Sequence, residues 1–352
     1  MNSKAEALKR LILDPKYTKK KVELDDGRIL SYSECGNIES GMPVLFCLGL
    51  MTSSLAIMVA HHRALRNNLR IIAIDYPGIG ESTFQEDRTL GGWADDVSEF
   101  LDHLGLERVR LLGHSLGGLH VLALLSNRSF KQRVIRTVLL CPWLYIEGDS
   151  FNPTWMKLTH YLPDVFQSTI IPYVLTGLSS STVNLATWSN PELGGFQALK
   201  LVMDYTYLQG QDGNEQMVRF ALSKCETYLP EESGPVIIFH GTDDTLVPEE
   251  KTLELVRALK LRNCDVTYIS IEGSDHNNIF SKTENLINVM ACLVGDSDTW
   301  AAEIANSLGV DRSRSMPKTP TADKVDFSLY YTKSRSFNNR LIDKENKNVL
   351  NE

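Results

Sequence analysis

The stretch LLGHSLGGLHVLALL, residues 111–125, carries the strongest fold signal in the chain. An apolar run of strand type starts just before it at Val109, and residues 119–125 have the pattern of a buried helix. Residues 113–117 between them, GHSLG, form a G-x-S-x-G motif. Its glycines permit a sharp strand-to-helix turn that exposes a serine on a strained backbone. The stretch therefore predicts a strand, a turn bearing Ser115 as a nucleophile, and a helix.

Apolar runs of strand length recur on both sides of this stretch and alternate with helical patterns. Most are continuously apolar, as expected of strands buried on both faces of a parallel sheet. Residues 25–27, Asp-Asp-Gly, predict a hairpin turn between the first two runs. The predicted strands cover residues 21–24, 29–34, 43–48, 70–75, 109–113, 134–140, 236–240 and 266–271. The pattern predicts an α/β fold with a mostly parallel, eight-stranded sheet and helices on both faces.

The alternation stops after the sixth predicted strand. Residues 145–233 show helical and loop patterns without a strand and are too long for a plain loop, so we expect a helical cap. The core then comprises residues 22–144 and 234–296. Residues 1–21 are predicted to be a basic, solvated leader. Residues 297–352 are a polar C-terminal extension, predicted to be largely flexible from about residue 308.

Composition excludes several classes of function. The chain has 352 residues with 36 basic and 44 acidic side chains, a formal net charge of −8, which argues against a nucleic-acid partner. No apolar run reaches the roughly 20 residues of a transmembrane helix. The six cysteines are scattered, which indicates reduced thiols. We therefore expect a cytoplasmic protein, with an organelle or membrane-surface location through the basic N-terminus as the weaker alternative; the sequence carries no signal for an oligomeric state.

Candidate partners for the serine lie late in the chain. A serine is a weak nucleophile unless a base accepts its proton, and that base is commonly a histidine held by a carboxylate. Asp243 and Asp244 fall in the turn after the seventh predicted strand, and His276 follows the eighth. All of these groups lie past the carboxyl ends of strands, where open α/β sheets build their sites.

On these motifs, the chain resembles the α/β-hydrolase superfamily of cap-bearing serine hydrolases over about residues 22–295. The matching segments are the hairpin of residues 26–32, DYPGIGES at 75–82, the G-x-S-x-G turn, and GTDDTLVP at 241–248. The resemblance implies that the turn is a nucleophile elbow. Residues 75–82 are expected to shape a loop rather than to react.

The resemblance also implies catalytic roles. In this superfamily the chain order is serine, acid, histidine, which fits Ser115, Asp244 and His276. The family's acid is usually the fourth residue of G-x-x-D-x-x-V-P, which favours Asp244 over Asp243. Asp149, after the sixth strand, is a more distant alternative.

The oxyanion hole of this superfamily uses two backbone N–H groups. One belongs to the residue after the nucleophile, here Leu116. The other lies in the loop after the third strand, which commonly has the sequence His-Gly-aromatic-Pro; residues 48–51 are Leu-Gly-Leu-Met here, so Leu50 would donate. A backbone donor does not depend on its side chain, so the departure changes the expected shape of the acyl pocket.

The sequence thus predicts a serine hydrolase with carboxylic-ester-hydrolase chemistry, which cleaves an ester, thioester or amide of a small-molecule or acyl-lipid substrate. No cofactor is expected, and no metal, because no HExxH or HxxEH spacing occurs. An acyltransferase or a C–C bond hydrolase remains an alternative on the same site, as does a ligand receptor or scaffold without turnover. Ser115 as a simple helix N-cap is the structural alternative. His114, His120 and His240 are expected to be structural.

Overall fold

The computed structural model describes residues 3–144, 195–221, 228–281 and 283–295. They contain one eight-stranded sheet in the order β1-β2-β4-β3-β5-β6-β7-β8. The strands are β1 (Lys20–Glu23), β2 (Ile29–Gly36), β3 (Met42–Cys47), β4 (Leu69–Ile74), β5 (Val109–His114), β6 (Val134–Leu140), β7 (Val236–Gly241) and β8 (Val266–Ile271). Strand β2 pairs antiparallel with both β1 and β4, and the pairings from β4 through β8 are parallel. The mostly parallel sheet predicted from the apolar runs is confirmed.

Helices cover both faces of this sheet. They are α1 (Ser3–Leu13), α2 (His61–Arg66), α3 (Leu90–His103), α4 (Gly117–Ser126), α5 (Arg128–Lys131), α6 (Gly195–Thr206), α7 (Asp212–Ala221), α8 (Glu249–Leu261), α9 (Asn278–Ser281) and α10 (Thr283–Val294), with a short 3-10 helix at Ser54–Ala60. Helix α3 packs against α4 and α5, whereas α2 packs against α10. None of these helices combines the length and apolar character that a membrane crossing requires.

The two helices nearest the serine differ in how they are buried. Helix α4 is apolar all round, and every residue from Gly117 to Leu125 is buried between the sheet and its neighbours. Helix α3 buries one face, centred on Trp93 and Phe100, and Thr89 caps its first turn by accepting a hydrogen bond from Gly92 N. Replacing Phe100 by alanine would cost about 3–5 kcal/mol of folding free energy.

Parallel pairing brings the carboxyl ends of the central strands to one edge. Cys47 of β3 pairs with Gly113 of β5, and Gly241 of β7 pairs with Ile271 of β8. The loops that leave these strands therefore meet above the same edge, and the four predicted site segments, those of Leu50, Ser115, Asp244 and His276, start there.

Part of the predicted cap is described. Helices α6 and α7 lie in the chain between β6 and β7. Side chains and backbone carbonyls of this segment form hydrogen bonds with the core. Gln209 donates to the carbonyls of Gly80 and Ser82, at 2.9 and 2.8 Å, and Ser53 donates to Val202 O at 3.3 Å. Residues 145–194 and 222–227 of the predicted cap lie outside the described residues, as does the predicted extension 297–352.

The expectation of a solvated leader is wrong for its first half. Residues 3–13 form α1, and its Leu8 and Ile12 are buried in the core. The two side chains are four residues apart and share one helix face. The helix packs this face on the core, while Arg10 on the opposite face stays exposed to water.

Candidate active site

Ser115 occupies the turn between β5 and α4. Its φ is 54°, in the left-handed region that a side chain with a Cβ rarely adopts. The turn is fixed by its backbone: Ser115 N donates to Leu140 O at 3.0 Å, and Ser115 O accepts from Gly118 N and Trp143 N, both at 2.9 Å. Such a strained residue costs of order 1–3 kcal/mol and persists only where its surroundings enforce it.

Close approach of the backbone explains the glycines of the motif. A Cβ on Gly117 would lie 1.9 Å from Cys47 O, which no relaxation of a side chain could relieve. A Cβ on Gly113 would lie 2.9 Å from Val121 Cγ2 and 3.0 Å from Gly117 O. The glycines therefore let α4 and β5 come close enough to β3 to present Ser115.

The structure brings Ser115, His276 and Asp244 together in one hydrogen-bonded chain. His276 Nε2 lies 2.8 Å from Ser115 Oγ, and His276 Nδ1 lies 2.8 Å from Asp244 Oδ2. With Nδ1–H donating to the carboxylate, Nε2 is free to accept the proton of the Ser115 hydroxyl. All three residues are buried, so the chain is shielded from bulk water.

Asp244 is held as an anion. Its Oδ1 accepts from Leu246 N at 2.9 Å and from Val247 N at 2.8 Å. Burial acts to raise the pKa of Asp244, but the hydrogen bond and charge of His276, together with the Val247 N–H, lower it to about 2. Asp243 is exposed and its carboxylate accepts from its neighbour Thr242, away from His276. Asp149 lies outside the described residues.

The turns that carry the acid and the histidine are joined by their backbones. Asp243 N donates to Ser274 O at 2.9 Å and Thr242 N donates to Ile271 O at 3.1 Å. Gly241 permits this contact, because a Cβ there would lie 2.2 Å from Ser274 O. The two turns therefore form one unit, which fixes the spacing of Asp244 and His276.

The two predicted oxyanion donors flank the serine. Leu116 is the N-cap residue of α4, directly after Ser115. Gly49, next to Leu50, touches the serine: a Cβ on Gly49 would lie 3.3 Å from Ser115 Cβ. In the part of the chain that the structure describes, neither Leu50 N nor Leu116 N donates to a backbone carbonyl. Both N–H groups can therefore serve a ligand beside Ser115 Oγ.

A family model for the α/β-hydrolase fold matches residues 42–283 of the chain, which includes Ser115, Asp244 and His276. The chain belongs to the α/β-hydrolase family. This membership supports an enzyme of the α/β-hydrolase type.

Several proteins of known name and solved structures resemble the chain at low identity. It is 26% identical over 234 residues to the dihydrolipoyllysine-residue acetyltransferase component of an acetoin cleaving system from Pseudomonas putida, covering 63% of this chain and 57% of that protein. It is 27% identical over 243 residues to a bifunctional esterase/perhydrolase from Acinetobacter calcoaceticus, covering 63% and 80%. An esterase from Exiguobacterium antarcticum superposes with a TM-score of 0.62 at 20% identity, covering 79% of this chain and 99% of that one.

In this α/β-hydrolase, His114 is hydrogen-bonded to the main chain of His276. Its Nε2–H donates to the backbone carbonyl of His276 at 2.8 Å. Burial, aided by the charge of His276, lowers the pKa of His114 to about 4, so His114 is neutral near pH 7. The side chain thus orients His276 through the main chain.

Cys141 lies beside Asp244 and His276, and the sequence did not predict this contact. It follows β6 with a φ of 42°, and its Sγ lies within 4.8 Å of the nearest Asp244 oxygen and His276 nitrogen. Burial and the charge of Asp244 raise the pKa of Cys141 well above its usual value, so the thiol stays protonated beside the Asp244 carboxylate and helps to lower the pKa of Asp244. The only sequence signal was a cysteine at a strand end, which does not differ from an ordinary core thiol.

Two groups of described residues could offer several metal ligands. One is Cys141, Asp244 and His276, in which Asp244 and His276 already share a hydrogen bond; the other is the surface group Asp25, Glu99 and His103. In the first group a metal would have to displace the hydrogen bond between His276 and Asp244.

Proposed function

We propose that the chain is a serine hydrolase that cleaves an ester, thioester or amide through an acyl-enzyme on Ser115. The observation that carries the proposal is the chain of two 2.8 Å contacts from Ser115 Oγ through His276 to Asp244, with the serine on a left-handed backbone. A structural N-cap serine would need neither the strained φ nor a buried histidine aligned with its hydroxyl.

The geometry supports the following acylation step. His276 Nε2 accepts the Ser115 proton as Oγ bonds to the substrate carbonyl carbon, and the carbonyl oxygen gains the negative charge. Asp244 stabilises the imidazolium that forms. The N–H groups of Leu50 and Leu116 stabilise the oxyanion, and one such donor is typically worth about 10²–10³ in kcat.

Collapse of this intermediate breaks the bond to the leaving group. His276 then returns its proton to the departing alcohol, thiol or amine. A water molecule loses a proton to His276 and attacks the acyl carbon. The bond between this carbon and Ser115 Oγ then breaks, His276 returns the proton to Oγ, and the acid leaves. The reaction balances with water as the only co-reactant.

The relatives support ester chemistry and also an alternative. One relative carries the name esterase/perhydrolase, and a solved esterase shares the fold. The acetyltransferase component from Pseudomonas putida favours acyl transfer as the second candidate, in which an alcohol, thiol or amine replaces water as the acceptor. In both cases the partner is a small or lipid-like acyl compound, and we propose that α6 and α7 belong to a cap that selects it.

A reducing, cytoplasmic setting is part of the same proposal. Five cysteines in the described ranges are free and buried, at positions 35, 47, 141, 264 and 292. Buried thiols without disulfides fit a reducing compartment.

Labelling with a fluorophosphonate tests the proposal. We expect covalent labelling of the native protein and hydrolysis of p-nitrophenyl esters, with both abolished in Ser115→Ala. A native protein that is neither labelled nor active, or labelling that persists in Ser115→Ala, would contradict the proposal. Adding hydroxylamine or a short alcohol as acceptor separates hydrolysis from transfer, because a transferase would give mainly the acylated acceptor.

A further inference from the structure

Arg88 is a buried cation in an aromatic setting. It precedes α3, and its guanidinium carbon lies 4.8 Å from the ring centroid of Tyr76 and 5.0 Å from those of Trp93 and Phe220. Within the described residues its hydrogen bonds go to His120 and to Met217 Sδ, and none goes to a carboxylate. Its Nε has no partner there. A buried guanidinium held by rings rather than by an acid is unusual, because burying an unpaired charge is unfavourable.

Arg88 connects to the Ser115 turn through His120. Arg88 Nη2 lies 2.8 Å from His120 Nε2, and an arginine can only donate, so Nε2 must be the acceptor. His120 Nδ1 therefore carries the proton and donates to Leu116 O at 3.2 Å. Burial and the charge of Arg88 lower the pKa of His120 well below its usual value, which keeps the ring neutral and in this tautomer.

Arg88 also connects to the loop after β3, through Tyr76. The Tyr76 ring contacts both groups: its centroid lies 4.8 Å from the guanidinium carbon of Arg88 and 4.3 Å from the ring centroid of His120. The Tyr76 hydroxyl donates to Leu48 O at 3.1 Å. We call Arg88, Tyr76 and His120 the Arg88 cluster. This cluster hydrogen-bonds to Leu48 O, two residues before Leu50, and to Leu116 O. It therefore holds one backbone carbonyl in each of the two segments that supply the proposed oxyanion donors.

We propose that Arg88 is a positioning residue for the oxyanion hole, acting through His120 on Leu116 and through Tyr76 on the segment of Leu50. The inference rests on the proposed function. It accounts for a guanidinium that hydrogen-bonds to no carboxylate among the described residues, since an anion beside Arg88 would weaken the positive potential that this fixed cation provides at the oxyanion.

The insertion takes part in this arrangement. Phe220 and Met217 both belong to α7, and both contact the guanidinium of Arg88. Helix α7 therefore contacts the same cation that holds the two oxyanion segments, and a displacement of α7 would reach the hole through Arg88.

The test is Arg88→Met, which removes the charge and the donors but keeps much of the volume. We expect kcat for a p-nitrophenyl ester, normalised to the sites that a fluorophosphonate titrates, to fall about 10- to 100-fold. KM should stay within about twofold, because the effect concerns charge that develops in the transition state. The Ki of a trifluoromethyl ketone, whose adduct carries an oxyanion, should weaken by the factor lost in kcat/KM.

Two further variants separate positioning from folding. Tyr76→Phe removes only the donor to Leu48 O, and we expect it to lower kcat about three- to tenfold and to weaken the same Ki. Arg136→Met is the matched control: Arg136 is also buried and donates to a backbone carbonyl, Cys292 O at 2.8 Å, but from the other end of its strand. We expect it to lower the melting temperature without changing kcat per titrated site.

Each outcome has a defined meaning. Native kcat and Ki in Arg88→Met would overturn the role of Arg88 while leaving the proposed hydrolase intact. If Arg88→Met does not fold, native kcat and Ki in Tyr76→Phe would overturn it. A native protein that neither labels at Ser115 nor turns over an ester would instead overturn the proposed function and the role of Arg88 with it.

Discussion

Asp75 and Asp244 are two buried aspartates, each placed just beyond a parallel strand of the same sheet. Asp75 follows β4, and its carboxylate accepts from Ser54 N at 2.6 Å and from the hydroxyls of Ser31 and Ser54, both at 2.8 Å. Asp244 follows β7, and it accepts from two backbone N–H groups, those of Leu246 and Val247, and from one side chain, that of His276. The number of these donors is the same, but their kind differs.

The two carboxyl groups have opposite pKa shifts for this reason. Burial raises the pKa of Asp75 to about 7, and its neutral donors offset only part of the effect. Burial also acts on Asp244, but His276 can carry a positive charge, and the pKa falls to about 2. A donor that can become a cation thus separates an acid suited to catalysis from one that shapes a loop.

Among the tests of the contrast between Asp244 and Asp75, Asp244→Asn has the largest expected effect. The amide still accepts from Leu246 and Val247 but no longer stabilises His276 as an imidazolium. We expect kcat for a p-nitrophenyl ester to fall about 10³- to 10⁴-fold. Asp243→Asn is the matched control next to it, and it should keep kcat within about twofold. Equal losses in the two variants would show that the acid had been assigned wrongly.

Asp75→Asn should affect folding instead. The amide nitrogen would face the hydroxyls of Ser31 and Ser54, so at least one buried hydrogen bond is lost. We expect the free energy of unfolding in urea at pH 5 to fall by about 1–3 kcal/mol. We expect kcat per fluorophosphonate-titrated site to stay within about threefold. A loss of kcat as large as that of Asp244→Asn would remove the distinction between the two aspartates.

The pH dependence of folding should differ in sign between the two sites. Asp75 binds its proton more tightly when folded, with a pKa of about 7 against 3.8, so its contribution to stability falls as pH rises from about 4 to 7. The contribution of Asp244 is present above about pH 4 and is lost as pH falls towards 2. Urea unfolding of the native protein and each asparagine variant across pH 2–8 measures both differences. The same slope for both variants would contradict the assignment.

The smallest effect is expected at Cys141, whose side chain lies close to Asp244 and His276. Cys141→Ala removes the thiol that lies beside Asp244 and helps to lower its pKa, and we expect kcat/KM to fall about three- to tenfold. Cys141→Ser keeps a donor and should stay within about twofold of the native value. An alanine variant as active as the serine variant would show that the thiol only fills space.

Local patterns were sufficient to predict much of this molecule. The G-x-S-x-G turn lies between a strand and a helix, and the segments with Asp244 and His276 each follow a strand that could be read from its apolar run. Because parallel strands end at one edge, these three segments had to meet.

Contacts between remote segments could not be predicted in this way. His120 was expected to be structural because no partner is visible near it in the sequence; its partner Arg88 lies 32 positions away and is placed by α3. Cys141 meets Asp244 only because β6 and β7 are neighbours. The buried face of α1 was missed because the lysines around it dominated the composition of the N-terminus.

The contacts of Phe220 and Met217 with Arg88 also bear on protein engineering. One way to change the substrate range of this protein is to replace the segment between β6 and β7 by the corresponding segment of a relative. An exchange that continues through residues 217–220 and replaces Phe220 by an aliphatic residue would leave the guanidinium uncovered beneath the new segment. A chimaera that keeps α7 with the recipient core should therefore preserve turnover better than one whose junction follows the strand boundaries.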